Sequence, residues 1–251
     1  MIIDRPENKQ VPLLRNLWKE AFGDSDEFLD VFFKTAFSPE RCACVTVNDD
    51  VAAALYWFDC ECRGKRIAYI YAVATAKAYR GQRLCHKLME YTHNELKKQG
   101  YSGAVLVPVT PSLFDFYSGM GYKECSYVSE IKYKAGTDKT DMYRIDKDEY
   151  GKVRREYLPD GGVVQECENL DFLETQAEFY KGDGFVAATR IEKSVFYGVE
   201  FLGDTEKIPM FLKTSGYGEG QFRTIGNGRK FAMYCAFDES EMPTYFGLAF
   251  D

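Results

Sequence analysis

Apolar residues recur at helical spacing near the start of the chain. Two stripes show this spacing: Leu14, Leu17, Trp18 and Ala21, then Phe28, Leu29, Phe32, Phe33 and Ala36. The segment 24–27 between the stripes, Asp-Ser-Asp-Glu, has the spacing of a helix cap. The pattern predicts a short first strand at Ile2 and Ile3, followed by two amphipathic helices.

Strand-like segments come next. Positions 42–47, 51–62 and 65–73 are rich in β-branched, aromatic and small apolar residues. Polar turns at 48–50 and 63–64 separate these three segments. We therefore expect an antiparallel meander of three strands.

The apolar spacing becomes helical again after the meander. Leu84, Leu88 and Tyr91 form one strip within 82–99, and Gly100 follows where a helix commonly ends in glycine. The other predicted elements of this half are a strand, a helix and a strand, at 104–107, 111–120 and 124–134. This order predicts a mixed α/β fold.

The segment 134–141 is polar and lacks periodicity, so we predict a domain boundary there. The predicted domains are 1–134 and 142–251, the second being smaller. Predicted helices in the second half cover 148–157 and 170–181, and predicted strands cover 163–165, 184–188, 194–202, 221–225, 231–237 and 245–250. The pair Asn227-Gly228 predicts a hairpin turn between two of these strands.

Composition narrows the classes of partner. The chain has 251 residues, 45% of them apolar, and a net charge of −7. Its acidity argues against nucleic acid or an anionic membrane as the partner, because phosphate binding depends on clustered Lys and Arg. We find neither a membrane-length apolar run nor a leader-like start at 1–6, and so expect a cytoplasmic protein.

In a cytoplasmic protein we expect the eight cysteines to be reduced, buried thiols. The pairs Cys42/Cys44 and Cys60/Cys62 suggest zinc as an alternative. However, hairpin pairing places Cys44 opposite about Leu55 and not opposite Cys60, so we expect no metal. His86 and His93, seven residues apart, are interpreted as partly exposed helix residues.

A candidate anion site lies where the third meander strand leads into the long helix. The segment 67–75 is followed by a short turn and then by Arg80-Gly-Gln-Arg-Leu-Cys85 at the start of the helix. The first N–H groups of a helix lack intrahelical partners and carry partial positive charge, so they can bind a pyrophosphate. Neither a dinucleotide-binding fingerprint nor a P-loop occurs in the sequence.

The run Arg80, Gly81, Gln82, Arg83, Leu84 and Cys85 resembles the Gln/Arg-x-x-Gly-x-Gly/Ala pyrophosphate loop of the GNAT acetyltransferases. The preceding Val73, Ala74 and Thr75 are similar to that superfamily's Val-x-Pro/Thr strand end. A second match lies at 113–122, where Tyr117 occupies the position of a helical tyrosine. The resemblance covers residues 1–134.

This resemblance implies the GNAT fold, an α/β mixed central sheet flanked by helices. It also implies acetyl-CoA as cosubstrate, held between strands that end near Thr75 and Val107, and direct transfer of the acetyl group to a primary amine. Tyr117 would point at the cofactor sulfur and act as the acid. The alternative for Tyr117 is an aromatic residue packed behind the sheet.

Two positions depart from the superfamily's pattern: Arg83 and Cys85 replace the usual small residues. The Arg83 guanidinium could bind a cofactor phosphate, or its Cβ could crowd the place where glycine admits the phosphate. An alternative function follows, namely a non-catalytic acyl-CoA-binding or protein-interaction module.

The general base is not assigned by the sequence. No carboxylate lies within 67–73, so Asp24, Asp59 and Glu61 remain candidates, or Tyr69 or Tyr71 could order a water molecule. The acceptor is expected to be an amine-bearing small molecule or peptide.

The second half resembles a degenerate repeat of the first and lacks an Arg-Gly-x-Gly loop. That layout is similar to tandem GNAT proteins, including the enhanced intracellular survival aminoglycoside acetyltransferases. In those proteins a C-terminal carboxylate serves as base, and by analogy Asp251 is a candidate for this role.

Overall fold

The strands of the protein form one continuous mixed sheet with helices on both faces, in a computed structural model that describes residues 1–192 and 194–250. The α-helices are α1 (Val11–Phe22), α2 (Asp26–Thr35), α3 (Leu84–Lys98), α4 (Pro111–Ser118), α5 (Lys147–Tyr157), α6 (Glu168–Glu174) and α7 (Ile208–Ser215). None of these helices combines the length and the apolarity that a membrane span requires.

The strands are β1 (Ile2–Asp4), β2 (Cys42–Val47), β3 (Asp50–Cys62), β4 (Lys65–Thr75), β5 (Gly103–Leu106), β6 (Lys123–Lys134), β7 (Met142–Ile145), β8 (Val164–Gln165), β9 (Glu178–Gly182), β10 (Phe185–Glu192), β11 (Val195–Gly203), β12 (Glu219–Ile225) and β13 (Arg229–Ala236). Their order across the sheet is β1-β2-β3-β4-β5-β13-β6-β12-β11-β10-β9-β7, and β8 pairs with β3 outside this path. The mixed α/β fold expected from the sequence is confirmed.

The elements predicted in the first half are confirmed from β1 to β6, with small differences at their ends. The meander of β2, β3 and β4 is antiparallel, and Cys44 lies opposite Ala54, one residue from the predicted partner. Five cysteines are buried, whereas Cys85 and Cys235 are half-buried and Cys167 is exposed. The expectation of buried thiols is therefore wrong for Cys167.

Strand β13, from the second half, lies between two strands of the first half. Met233 pairs with Leu106 of β5 on one side and with Glu124 of β6 on the other, both antiparallel. The central sheet thus continues across the segment 134–141, where the sequence predicts a boundary. The division into two domains remains a prediction.

The hairpin predicted at Asn227-Gly228 is wrong. Strands β12 and β13 both pair with β6, which lies between them in the sheet order. Neither Asn227 nor Gly228 has the positive φ that a type I′ hairpin turn requires. Gly226 and Gly228 instead pass close to β6, where an added Cβ at Gly226 would lie 2.0 Å from Oγ of Ser129.

Three further predictions in the second half are corrected. Strand β7 is not predicted from the sequence, and the predicted helix 170–181 ends early, at Glu174, with β9 following it. The alternation of exposed Glu178 and buried Phe179 suits a strand, and this strand pairs with both β7 and β10. The predicted last strand, 245–250, is irregular apart from a bridge between Gly162 and Tyr245.

Side chains hold this last segment, which we call the C-terminal tail (residues 244–250). The Gln165 amide binds both the carbonyl and the N–H of Leu248, at 2.7 and 3.3 Å. The Ser126 hydroxyl does the same for Phe246, at 3.2 and 2.9 Å. The tail is therefore buried without the ladder pairing of a strand.

The order of elements in the second half repeats that of the first. The series β7, α5, α6, β9, β10, β11, α7, β12 matches β1, α1, α2, β2, β3, β4, α3, β5, apart from the short β8. The parallel pair β11 and β12 corresponds to the parallel pair β4 and β5. The connection from β11 to α7 covers only residues 204–207, whereas that from β4 to α3 covers 76–83.

Candidate active site

Strands β4 and β5 diverge at the centre of the sheet. They pair in parallel only from Ile67 opposite Gly103 to Tyr69 opposite Val105. Beyond this point β5 ends at Leu106, while β4 continues to Thr75. The divergence leaves an opening through the sheet at the carboxyl ends of both strands.

A β-bulge in β4 borders this opening. Ala54 pairs with Ala74 and Tyr56 with Tyr71, so that Leu55 of β3 faces both Ala72 and Val73. Ala72 has a φ of 49°, in the left-handed region that costs about 1–2 kcal/mol for a residue with a Cβ. The extra residue turns the strand and removes part of its pairing beside the opening.

The turn from β4 to α3 has two left-handed residues. Gly81 has a φ of 79°, and Arg83, the N-cap of α3, has a φ of 57°. The first bond of the α3 ladder is donated by the Lys87 N–H to the Arg83 carbonyl. The N–H groups before Lys87 therefore lie at the positive end of a 15-residue helix.

The predicted loop residues have different surroundings. Gly81, Gln82 and Arg83 are exposed, whereas the side chain of Leu84 is buried in the core, so only its backbone can meet a ligand. Arg80 is also exposed, and its Nε donates to the Thr75 carbonyl at 3.2 Å. The turn is thus held to the end of β4.

Tyr117 lies on α4 at the edge of the opening. It is 8% exposed and packs against Phe116 and Tyr122, with ring centroids 5.3 and 5.8 Å away. Burial, and then the neighbouring Cys85, raise the pKa of Tyr117 well above its usual value. The hydroxyl therefore stays protonated at neutral pH and can donate.

A cavity of about 310 Å³ passes through the opening and joins the two faces of the sheet. We call the part beside α3 and α4 the helical side, which Ile70, Val73, Leu106, Leu113 and Tyr117 line. We call the opposite part the aromatic side, which Trp18, Phe22, Asp24, Tyr69, Tyr71 and Phe250 line. Successive residues of β4 point to opposite faces, and so the strand lines both sides.

Asp24 is the only described residue lining this cavity that has a carboxylate or a basic group. The indole N–H of Trp18 donates to its Oδ2 at 2.8 Å. The helix cap that the sequence indicated at 24–27 is Ser25, whose Oγ accepts from the Phe28 N–H. Asp24, the residue before this cap, lines the cavity.

The other proposed carboxylates lie away from the cavity. Asp59 accepts from Arg66 at 2.8 Å and from the hydroxyl of Tyr101. Glu61 lies 3.8 Å from Arg155 on the surface. Asp251 lies outside the described residues.

The end of the tail lines the aromatic side, and no local pattern in the sequence predicts this position. Ala249 and Phe250 line the cavity, and the Tyr71 hydroxyl donates to the Phe250 carbonyl at 3.2 Å. The Phe250 ring lies 5.6 Å from both Tyr69 and Tyr71. Of the predicted strand-end residues 73–75, Val73 lines the cavity, whereas Ala74 and Thr75 do not.

Comparisons with known proteins agree with this geometry. A family model described as an acetyltransferase (GNAT) domain matches residues 3–125. No curated protein sequence matches the chain.

Several solved structures share the fold of nearly the whole chain. A GCN5-related N-acetyltransferase from Kribbella flavida is 14% identical, with 93% of this chain and 70% of that chain covered and a TM-score of 0.73. One from Anabaena variabilis is 13% identical, with 93% and 72% covered and a TM-score of 0.74. Eis1 from Mycobacterium abscessus is 8% identical, with 95% and 74% covered and a TM-score of 0.67.

At these identities the structural likeness establishes the fold alone, and the family rests on the sequence match to residues 3–125. That match contains the diverging strands, the left-handed turn and Tyr117. Residues 3–125 thus match a GNAT acetyltransferase domain, and the chain shares the fold of GCN5-related N-acetyltransferases.

Proposed function

We propose that the protein is an N-acetyltransferase that transfers the acetyl group of acetyl-CoA to a primary amine by direct attack in a ternary complex. The observation that carries the proposal is the cavity through the sheet, with a protonated tyrosine on one side and a carboxylate on the other. Each of the two substrates has its own entrance to a common centre.

The helical side fits acetyl-CoA. The exposed turn at Gly81 and the N–H groups at the start of α3 suit the pyrophosphate, and an added Cβ at Gly81 would meet nothing within 4 Å. The opening beyond Tyr69 and Val105 admits the pantetheine arm between two strands. The bulge at Ala72 and Val73 leaves backbone polar groups for the arm and the acetyl carbonyl.

The reaction needs one proton acceptor and one donor. The amine nitrogen attacks the thioester carbonyl carbon, the C–S bond breaks, and the electron pair leaves on sulfur. Tyr117 gives its proton to the departing thiolate, and the proton lost by the amine returns to the tyrosinate through solvent. The atoms balance as amine plus acetyl-CoA giving amide plus CoA.

Asp24 is our choice for the group that receives the amine. Its place in the cavity supports this role, whereas Asp59 and Glu61 are engaged elsewhere. Trp18 donates to Oδ2, which leaves Oδ1 for an incoming ammonium. Asp24 binds the ammonium and accepts its proton, directly or through one water molecule.

The second half is proposed to be a non-catalytic repeat. Its element order repeats that of the first half, but its connection at 204–207 has half the length of the connection at 76–83, which contains the left-handed turn. On β11, the strand that corresponds to β4 in this order, Glu200 is paired with Arg154. Its role is to supply β13 and the tail to the catalytic half.

Calorimetric titration with acetyl-CoA and CoA, with NAD and ATP as controls, is the first test. Micromolar binding of the first two alone is expected and justifies assays of acetyl transfer. The absence of CoA binding would refute the proposal. Binding without transfer to any amine would favour a non-catalytic acyl-CoA-binding module.

A further inference from the structure

One wall of the aromatic side comes from the second half of the chain. Phe250, the last residue of the tail, is 9% exposed and lines the cavity. Its ring centroid lies 5.6 Å from those of Tyr69 and Tyr71, which also line the cavity. The proposed mechanism brings the amine in on this side, so the Phe250 ring borders the space that is open to the acceptor.

Other aromatic rings lie behind this wall. The Phe250 ring also contacts Phe58 of β3 and Phe172 of α6, with 4.8 and 5.2 Å between the centroids. Phe58 and Phe172 are at most 1% exposed, and neither lines the cavity. The Phe250 ring therefore lies between the cavity and these two buried rings. Because packed side chains relax only partly around a lost ring, its removal would extend the cavity toward them.

The backbone that carries this ring is held in place. The Tyr71 hydroxyl donates to the Phe250 carbonyl at 3.2 Å. Two residues earlier, the side-chain amide of Gln165 binds both the carbonyl and the N–H of Leu248. A larger acceptor would thus have to displace packed rings and break these bonds, since the interior has little free space.

From these contacts we propose that Phe250 is a specificity-determining residue, whose ring limits the size of the amine that the site accepts. A small amine fits in front of the ring, and an amine that carries an added aromatic group meets it. The second half thereby controls which acceptor the first half acetylates. This inference rests on the proposed acetyltransferase function and identifies the residue that limits its acceptor.

The test compares two amines that differ by one phenyl group, propylamine and 3-phenylpropylamine. Each carries a single ammonium, and every variant keeps Asp24 and Asp251, so the comparison does not depend on which carboxylate receives the amine. With the full chain and saturating acetyl-CoA, we measure the ratio of kcat/KM for 3-phenylpropylamine to that for propylamine. This ratio should rise about tenfold or more in Phe250→Ala, because the added phenyl group occupies the space of the lost ring.

Two leucine variants complete the series, and circular dichroism checks that each variant folds. Phe250→Leu keeps an apolar side chain and should raise the ratio by less, so it tests the proposal even if Phe250→Ala does not fold. Phe211→Leu is the matched control, because Phe211 is fully buried on α7 in a separate cluster, outside the described lining of the cavity. An unchanged ratio in the folded Phe250 variants, or an equal rise in Phe211→Leu, would overturn the proposal.

Failure of the acetyltransferase function would give a different result. If neither amine is acetylated, titration of the protein with both amines in the presence of CoA still measures selectivity, because binding needs no turnover. A gain of about tenfold in the relative affinity for 3-phenylpropylamine in Phe250→Ala would support the role of Phe250 without the reaction. An unchanged relative affinity, or no binding of either amine, would overturn it.

Discussion

Arg154 and Glu200 form a two-pronged ion pair in the interior, each side chain being 1% exposed. Nε lies 2.6 Å from Oε2, and Nη2 lies 2.9 Å from Oε1. The hydroxyls of Tyr150 and Tyr245 donate to the same carboxylate at 2.8 and 3.0 Å. The pair thereby joins α5 and β11 to the tail, whose end lines the cavity.

Breaking this pair should destabilise the protein strongly. Arg154→Met leaves an uncompensated buried carboxylate, and we expect the free energy of unfolding to fall by about 3–5 kcal/mol in urea denaturation. Removing both charges, in Arg154→Met/Glu200→Met, should recover much of the loss. Arg155→Met, which removes an exposed arginine paired with Glu166, should cost about 1 kcal/mol or less. A loss in Arg154→Met as small as that in Arg155→Met would contradict this account.

Tyr117→Phe tests the acid. The substitution keeps the packing against Phe116 and Tyr122 and removes only the hydroxyl, so we expect kcat to fall about 10²–10⁴-fold with little change in KM for acetyl-CoA. Steady-state kinetics with saturating amine measure this. Tyr79→Phe, outside the described lining of the cavity, is the control. Turnover that survives in Tyr117→Phe would remove this hydroxyl from the mechanism.

Arg83→Gly separates two effects of one exposed residue. Glycine adopts the left-handed φ of 57° without strain, so stability should change by no more than about 1 kcal/mol, in the favourable direction. Loss of the guanidinium should weaken CoA binding roughly fivefold, and less so at high salt. Titration at two salt concentrations measures this, with Lys87→Gln on the same helix as control. Tighter CoA binding would mean instead that the side chain obstructs the phosphate.

His93 should make the protein sensitive to acid. Burial, and then the nearby Lys97, lower the pKa of His93 from 6.5 to about 4, and its Nε2 lies 2.8 Å from the Tyr122 hydroxyl. The folded state therefore holds the neutral ring, and stability present above pH 6.5 is lost as pH falls toward 4. We expect the free energy of unfolding to fall by about 2–3 kcal/mol through this residue.

Urea denaturation of His93→Gln across this pH range should show a flatter dependence than the unsubstituted protein. His86→Gln, at the exposed histidine of the same helix, should follow the unsubstituted protein. Parallel curves for all three proteins would show that His93 does not contribute.

Removal of the second half should prevent the first half from folding. A fragment of residues 1–134 lacks β13, so the facing edges of β5 and β6 lose their partner. We expect this fragment to be insoluble or unfolded by circular dichroism and to recover when residues 135–251 are co-expressed. Cooperative folding and CoA binding by 1–134 alone would support an independent domain.

Local patterns predicted most of the first half, because its strands pair with neighbours in the chain and its helices carry their own apolar stripes. The position of β13 was not predictable, since its partners lie about a hundred residues away and the Asn227-Gly228 pair favours a local hairpin. The position of Phe250 in the cavity was not predictable for the same reason, because its contacts Tyr69 and Tyr71 lie far away in the chain. The role of Asp24 was ambiguous in the sequence, because either Asp24 or the adjacent Ser25 can cap the helix. Only the fold shows that Ser25 is the cap and that Trp18 donates to Asp24.

The place of β13 also matters while the protein is being made. A ribosome releases β5 and β6 long before Arg229 emerges, and until then β5, which borders the opening through the sheet, and β6 have a gap between them. The nascent first half therefore exposes two unpaired strand edges, which invite aggregation or binding by chaperones. Acetyl-CoA should accordingly have no complete site to bind until translation is nearly finished, so that unfinished chains are inactive as well as unstable.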